Sequence, residues 1–496
     1  MNEPGPAPLG HAPLDHSQVM PIMIGLMLGM LLGALDQSIV STALPTIGRA
    51  LGDESNLPWV VTAYLLAAVA VTPLYGKLSD IYGRRAVMLV AIGLFMLGSI
   101  ACALAPTMLA LALARGLQGA GGGGLISLAQ TLIADIVSPR ERGRYQVHIA
   151  SVFATSSLAG PVLGGFLSEH LHWTAIFWIN LPLGLLAFAM VNKRLALLPR
   201  PDKRHRLDIA GAALIVIAST AFLLALSWGG VKHPWASAPI VGLLAASLAF
   251  GALFAWRISV AAEPLIPLTV LANPVVRTAT TAAGLGMGAF VGLTIFTPIY
   301  FETVLGLSAS QSGLALIPLM IGTVCGSTVA GRMMARIEHY KIPPQIGLFA
   351  AFAVTALLAW RPVGWNLVVL DALLACLGMG VGTLLPTATV AIQNAVDRHD
   401  MGAATAASNF FRQIGGALLV AVFGTLVFGG AMHGHPEAGH AGAGLDPAIL
   451  ATAFSRVFGV AAGAILLALL FFRAMPERPL RGPGAPETRL ADQPGE

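Results

Sequence analysis

Six ionisable residues lie inside long apolar runs of this 496-residue sequence: Asp36, Arg115, Glu302, Asp371, Arg412 and Arg456. A charge held in lipid is costly and marks function by default. Asp36 falls in Leu35-Asp36-Gln37-Ser38-Ile39-Val40-Ser41-Thr42-Ala43-Leu44-Pro45. It is roughly 12 Å from one end of its run, at 1.5 Å per helical residue, and Arg115 is roughly 10 Å from the same side of its own. If both runs face one cavity, the two can pair or exchange a proton. An apolar setting favours a protonated carboxyl and a nearby cation favours the ionised form. A group pulled both ways suits a proton carrier whose affinity changes with conformation. The alternative is a static ion pair that holds two helices together.

Glu302 and Asp371 stand near the outer ends of their runs. Each is either a carboxylate reaching for water or a second protonation site, or an anchor for a cationic substrate. Arg412 lies about ten residues into its run, too deep to reach water easily. It calls for a partner inside the bundle, with Asp371 a candidate. Arg456 is near an outer end and reads as structural, while Asp135 and Glu169 fall at run ends. His433, His435, Glu437 and His440 share one loop. They could ligate a metal, but a solvated loop is the better reading. No metal or cofactor is expected, and no G-x-x-x-x-G-K-[ST] run suggests direct use of ATP. No convergent His/Ser/Asp set suggests an enzyme.

Two glycine-bearing segments have particular patterns. Gly76-Lys77-Leu78-Ser79-Asp80-Ile81-Tyr82-Gly83-Arg84-Arg85 joins the second and third runs. Its glycines permit a tight turn and close packing. Asp80 can cap a helix or pair with an arginine, and Arg84 and Arg85 favour the cytoplasm. Gly160-Pro161-Val162-Leu163-Gly164-Gly165 puts Gly160 and Gly164 on one smooth helix face, with Pro161 loosening the helix beside them. Ordinary membrane packing is one reading. A surface on which two bundles slide is the sharper one.

The elements that must position these groups follow from composition. Hydrophobic residues make up 56% of the chain and charged residues 10%, against about 25% charged in a soluble domain. The apolar residues fall into about fourteen runs: 20–44, 57–76, 87–105, 108–133, 147–168, 174–192, 208–229, 238–256, 278–301, 312–334, 345–361, 366–394, 402–428 and 449–472. Runs of this length predict membrane-spanning helices. With both termini cytoplasmic, 22 of the 28 Lys and Arg residues fall in cytoplasmic segments, as the positive-inside rule asks. The net charge of +5 is therefore explained without nucleic acid. Cys102, Cys325 and Cys376 each lie in an apolar run, which predicts free buried thiols. No cleaved signal peptide is apparent.

On these motifs the chain resembles the major facilitator superfamily, and within it the fourteen-spanner drug:proton antiporters of the EmrB/QacA type. Gly76 to Arg85 is similar to the superfamily's loop between helices 2 and 3. Arg115-Gly116-Leu117-Gln118-Gly119 is similar to its helix-4 motif, associated with proton coupling. Gly160-Pro161-x-x-Gly164-Gly165 is similar to the helix-5 antiporter motif, and Leu35–Pro45 to the helix-1 pattern of the fourteen-spanner group. Trp178 to Gly184 and Arg412-Gln413-Ile414-Gly415-Gly416 also resemble that group. The C-terminal copy of the loop is degraded to Gly326-Ser327-Thr328-Val329-Ala330-Gly331-Arg332. Glu302 stands where relatives often carry glutamine.

The resemblance implies an all-α protein of two six-helix bundles, 20–192 and 274–472. They flank an extra helix pair at 208–257 and a basic loop at 193–207, with disordered tails at 1–19 and 473–496. It implies multidrug efflux from a bacterial inner membrane: export of amphipathic, cationic small molecules against protons by alternating access. A dedicated exporter or uptake porter for one metabolite, peptide or lipid is the alternative. The partners are the substrate, protons and the bilayer, and an accessory periplasmic protein stays open.

Overall fold

The computed structural model describes residues 16–53, 56–195, 207–230, 232–428 and 447–480. These residues are almost wholly helical, and the one β feature among them is an isolated bridge between Gly229 and His233. Thirteen of their helices are long and apolar enough to cross a membrane. Backbone in lipid must satisfy its own hydrogen bonds, which long helices do.

In chain order the long helices are α1 (His16–Leu51), α2 (Pro58–Tyr82), α3 (Arg84–Ala103), α4 (Met108–Ile136) and α5 (Pro139–His170). There follow α6 (Ala175–Arg194), α7 (Ile209–Trp228), α8 (Ala238–Val260), α9 (Pro274–Thr303) and α10 (Gln311–Met334). The last four are α11 (Ile342–Trp360), α12 (Leu367–Asn394), α13 (Met401–Phe428) and α14 (Pro447–Ala474). The expected fourteenth span is α4, which is absent from the thirteen chosen by hydropathy. Arg115, Gln118, Gln130 and six glycines dilute it, yet it is a continuous helix of 29 residues. Its glycines let it nest against two neighbours. A Cβ at Gly119 would lie 2.2 Å from the Tyr64 carbonyl of α2, and one at Gly121 would lie 2.3 Å from the Phe95 nitrogen of α3.

Several helices outrun their apolar segments. α1 continues past Pro45 to Leu51, and α5 starts at Pro139 instead of near 147. Pro139 suits a first helical turn because its missing N–H would have no partner there. Helices α6, α10 and α12 are interrupted at Ile179, Leu316 and Thr383. Each interruption lies just before a proline, which cannot donate to the preceding turn.

Two cores form the halves. One joins α1 to α6 through residues such as Met30, Phe95, Leu128 and Phe177. The other joins α9 to α14 through residues such as Leu293, Tyr300, Leu384 and Phe458. A smaller cluster bridges them: Leu66 and Val69 of α2, Ile215 and Leu223 of α7, Phe254 and Ile258 of α8, and Ala407 and Phe410 of α13. Asp208 caps α7 at the Gly211 nitrogen, 3.1 Å away, and pairs with Arg257 of α8 at 3.0 Å. Of the residues in the most apolar stretch of α8 only 6% are buried, as in a lipid-facing helix.

Of the three cysteines, only Cys102 is buried; Cys325 is exposed and Cys376 half-buried, which corrects the expectation of three buried thiols. Apolar runs have lipid-facing sides as well as core-facing ones. The His433, His435, Glu437 and His440 loop lies outside the described residues, as does most of 193–207. Of the C-terminal tail, residues 475–480 are seen packed on the C-terminal half. Glu477 accepts from the Lys341 backbone N–H at 3.2 Å, and Asn394 donates to the Pro479 carbonyl at 3.1 Å.

Candidate functional site

The centre of the N-terminal half is a closed polar cluster in an apolar core. Asp36 of α1 and Arg115 of α4 form an ion pair of 2.6 Å, with side chains 0% and 1% exposed. The Asp36 carboxylate accepts three hydrogen bonds. Its Oδ2 accepts from Arg115 Nη1, and its Oδ1 accepts from Gln118 Nε2 and from Asn180 Nδ2, both at 2.9 Å. Arg115 also donates from Nε to the Val60 carbonyl at 3.0 Å and from Nη1 to Gln118 Oε1 at 2.5 Å. The Tyr64 ring lies 4.3 Å from the guanidinium carbon. Ser99 Oγ donates to the Phe177 carbonyl at 2.8 Å and accepts from Asn180 Nδ2 at 3.0 Å. Five helices thus contribute to one hydrogen-bonded cluster. Such a pair is costly to desolvate, and removing one partner typically costs about 3–5 kcal/mol.

The Gly160 and Gly164 face of α5 packs directly behind this cluster. A Cβ at Gly160 would lie 2.2 Å from the Ser38 Cβ, and one at Gly164 would lie 2.2 Å from Thr42 Oγ1 and 2.5 Å from the Ile39 carbonyl. The expected sliding surface between bundles is therefore corrected. These glycines seat α5 on α1 within one bundle, beside Asp36. Gly165 meets nothing, and Pro161 lies within the continuous helix.

The two halves meet through α2 with α13 and α5 with α10. Their hydrogen-bonded contacts gather at the end that carries the Arg84 and Arg140 loops. Asn409 Nδ2 donates to Gln130 Oε1 at 2.8 Å, Gln393 Nε2 to the Gln130 carbonyl at 3.3 Å, and Gln413 Nε2 to Thr72 Oγ1 at 3.4 Å. Gly76 faces the Gly402 carbonyl, and Gly143 faces Gly331 so closely that a Cβ on Gly331 would lie 2.0 Å from the Gly143 carbonyl. A small pocket is enclosed there by Gln130, Thr389, Gln393, Thr405, Ser408 and Asn409 among others. The bundle is closed at this basic end.

The Gly76 to Arg85 segment braces the closure. Arg84 pairs with Asp80 and, through Nε at 2.8 Å, with Asp135 of α4. A Cβ on Gly402, at the start of α13, would lie 2.5 Å from Asp80 Oδ1. An anionic group beside a helix N-terminus is favourable. Gly83 has φ +89°, open to glycine and strained for other residues, and makes the turn from α2 into α3. Arg85 donates to Asn192 Oδ1 at 2.6 Å.

The remaining candidates are scattered. Glu302 is exposed at the far end of α9. Asp371 Oδ1 and Arg412 Nε are buried without hydrogen-bond partners among the described residues. The expected Asp371–Arg412 pairing is not formed. Measured from the basic end of each helix, Asp371 stands 23 residues along α12 and Arg412 11 residues along α13, a difference of roughly 18 Å. Arg412 instead donates to Asn409 Oδ1 at 3.0 Å. Sequence reasoning gave no role of their own to Asn180, Gln118, Ser99, Gln130 and Asn409, although Gln118 and Asn180 stand inside motifs it named, because it weighed charges. Neutral amides in spanning helices were the available signal.

The sequence matches the family model described as the Major Facilitator Superfamily over residues 26–420. An uncharacterized MFS-type transporter of Mycobacterium tuberculosis is 38% identical over 82% of this chain, and the match spans 59% of that relative's length. The multidrug transporter protein MdtP of Bacillus subtilis is 33% identical over 82% of this chain and 75% of its own. A crystal structure of a bacterial homologue of the iron transporter ferroportin, in its outward-facing state, shares the fold with TM-score 0.66 at 13% identity, covering 92% of this chain and 100% of that one.

Proposed function

The chain belongs to the Major Facilitator Superfamily, and on that premise we propose that it is a proton-coupled antiporter exporting small amphipathic, cationic compounds by alternating access. We place it in the fourteen-spanner drug:proton group, in a bacterial inner membrane with both termini cytoplasmic. The carrying observation is the buried Asp36–Arg115 pair and the three hydrogen bonds that its carboxylate accepts. A proton can neutralise Asp36 and release Arg115, and so change which packing of α1 and α4 is favourable. The multidrug name of the Bacillus relative supports efflux of varied compounds. Charge bias supports the orientation, which makes the closed end cytoplasmic and the conformation outward-facing. Glu302 and Asp371 then stand toward the outer opening, where carboxylates attract cations.

The test is reconstitution in proteoliposomes with a pH gradient and a cationic dye. Asp36→Asn should insert normally and lose gradient-driven dye transport, and Arg115→Ala should uncouple or stop it. Near-normal proton-driven transport by Asp36→Asn would remove Asp36 from the mechanism. One observation favours the second reading, a dedicated porter for a single metabolite: Arg412 has no acidic partner among the described residues, which suits an anionic substrate. Competition by structurally unrelated dyes separates the two readings.

A further inference from the structure

Two side-chain amides face the same carboxylate oxygen, and they are not equivalent. Gln118 is locked: its Oε1 accepts from Arg115 Nη1 at 2.5 Å and from the Cys102 thiol at 3.5 Å, so its Nε2 must point at Asp36 and Ser99. Asn180 is held on one side only. Its Nδ2 donates to Asp36 Oδ1 and to Ser99 Oγ, while its Oδ1 is buried with no hydrogen-bond partner. The orientation is fixed by chemistry. Ser99 spends its only proton on the Phe177 carbonyl, and an ionised Asp36 has none, so both can only accept from Asn180.

A proton on Asp36 Oδ1 would find no acceptor in this arrangement. Asp36 Oδ2 is occupied by Arg115 Nη1, and Oδ1 faces two N–H donors. The other titratable groups around the carboxylate are Tyr64 of α2 and Cys102 of α3. Neither the locked Gln118 nor Arg115 can offer an acceptor. Asn180 can, by turning its carboxamide half a revolution so that the orphaned Oδ1 replaces Nδ2.

We propose that Asn180 is the positioning residue that reads the protonation state of Asp36: its Nδ2 holds the carboxylate ionised, and its carboxamide turns over to accept the new O–H when Asp36 takes a proton. The O–H bond that forms on Asp36 Oδ1 replaces one in the hydronium ion that delivers the proton and leaves as water; no bond within the protein breaks. The turn withdraws the Asn180 donor from Ser99, and so links proton uptake on α1 to α3 and α6. This rests on the reading of Asp36 as a proton carrier.

Infrared difference spectroscopy between mildly acidic and neutral pH tests it on the full-length protein in proteoliposomes. The carboxylic acid band of Asp36 is the one lost in Asp36→Asn. A side-chain amide carbonyl band should move with it in the wild type and be missing in Asn180→Leu. Asn180→Asp, which presents only acceptors, should raise the proton affinity of the site at least tenfold, one pH unit and about 1.4 kcal/mol. An Asp36 band with no accompanying amide band, or an unchanged midpoint in Asn180→Asp, overturns the role of Asn180 alone. The absence of any band sensitive to Asp36→Asn overturns the proton-carrier reading, and this one with it.

Discussion

Gly331→Ala is the smallest change that should alter which end of the protein is open. The added methyl carbon would lie 2.0 Å from the Gly143 carbonyl and 3.6 Å from Val147 Cγ2. The first contact is with backbone, which cannot rotate away, so α5 and α10 must separate. Overpacking of this kind costs about 1–3 kcal/mol. The whole cost falls on the conformation closed at the basic end, because Gly143 and Gly331 belong to different halves. A bias of that size shifts a two-state equilibrium by roughly 5- to 150-fold. Spin labels at His172 and Val363, both exposed at the opposite end, report the shift after the three native cysteines are replaced. Their separation should become shorter as that end closes. A folded Gly331→Ala protein with an unchanged distance distribution would show that this contact does not set the equilibrium.

Gly164→Val should push α1 away from α5, because its side chain would meet Thr42 and the Ile39 carbonyl. Melting in detergent should show destabilisation of about 1–3 kcal/mol, with transport lost. Asp135→Asn should weaken its hold on Arg84 Nε and loosen the brace under α13; faster thiol labelling of a cysteine at Ser408 would register it, and an unchanged rate would exclude it. Arg257→Ala removes a partner that is 37% exposed. Its partner Asp208 is only 3% exposed and would keep just the Gly211 N–H, so the stability cost should exceed the surface value of about 1 kcal/mol, with dye transport intact. A loss below that value would mean that α7 and α8 do not depend on this pair.

The helices were legible because lipid demands one kind of pattern: about twenty apolar residues, repeated, with basic loops on one side. Where the pattern misled, packing explains it. α4 falls below the hydropathy of its neighbours because close approach to α2 and α3 requires glycine, and because it carries Arg115 and Gln118. The meeting of Asp36 with Arg115 could be guessed from matched depth. The amides around them were passed over, since asparagine and glutamine carry no charge to draw attention. Asp371 and Arg412 suggested a pair by sign alone, and their heights along α12 and α13 ruled it out. The glycines of α5 fitted two interfaces equally well until α1 was seen to occupy one.

The placement of α7 has a consequence for compounds that reach a transporter through the lipid. Two lengthwise seams separate the halves, one along α2 and α13 and one along α5 and α10. The α7 and α8 pair lies over the first, with Ile215 and Leu223 among Leu66, Val69, Ala407 and Phe410. Trp235 adds a tie from the α7–α8 connection to Thr425 of α13 at 3.1 Å. No described helix covers the second seam in the same way. Under the proposed export, a molecule dissolved in the leaflet would meet a covered seam on one flank and an uncovered one on the other, so the protein has a front and a back.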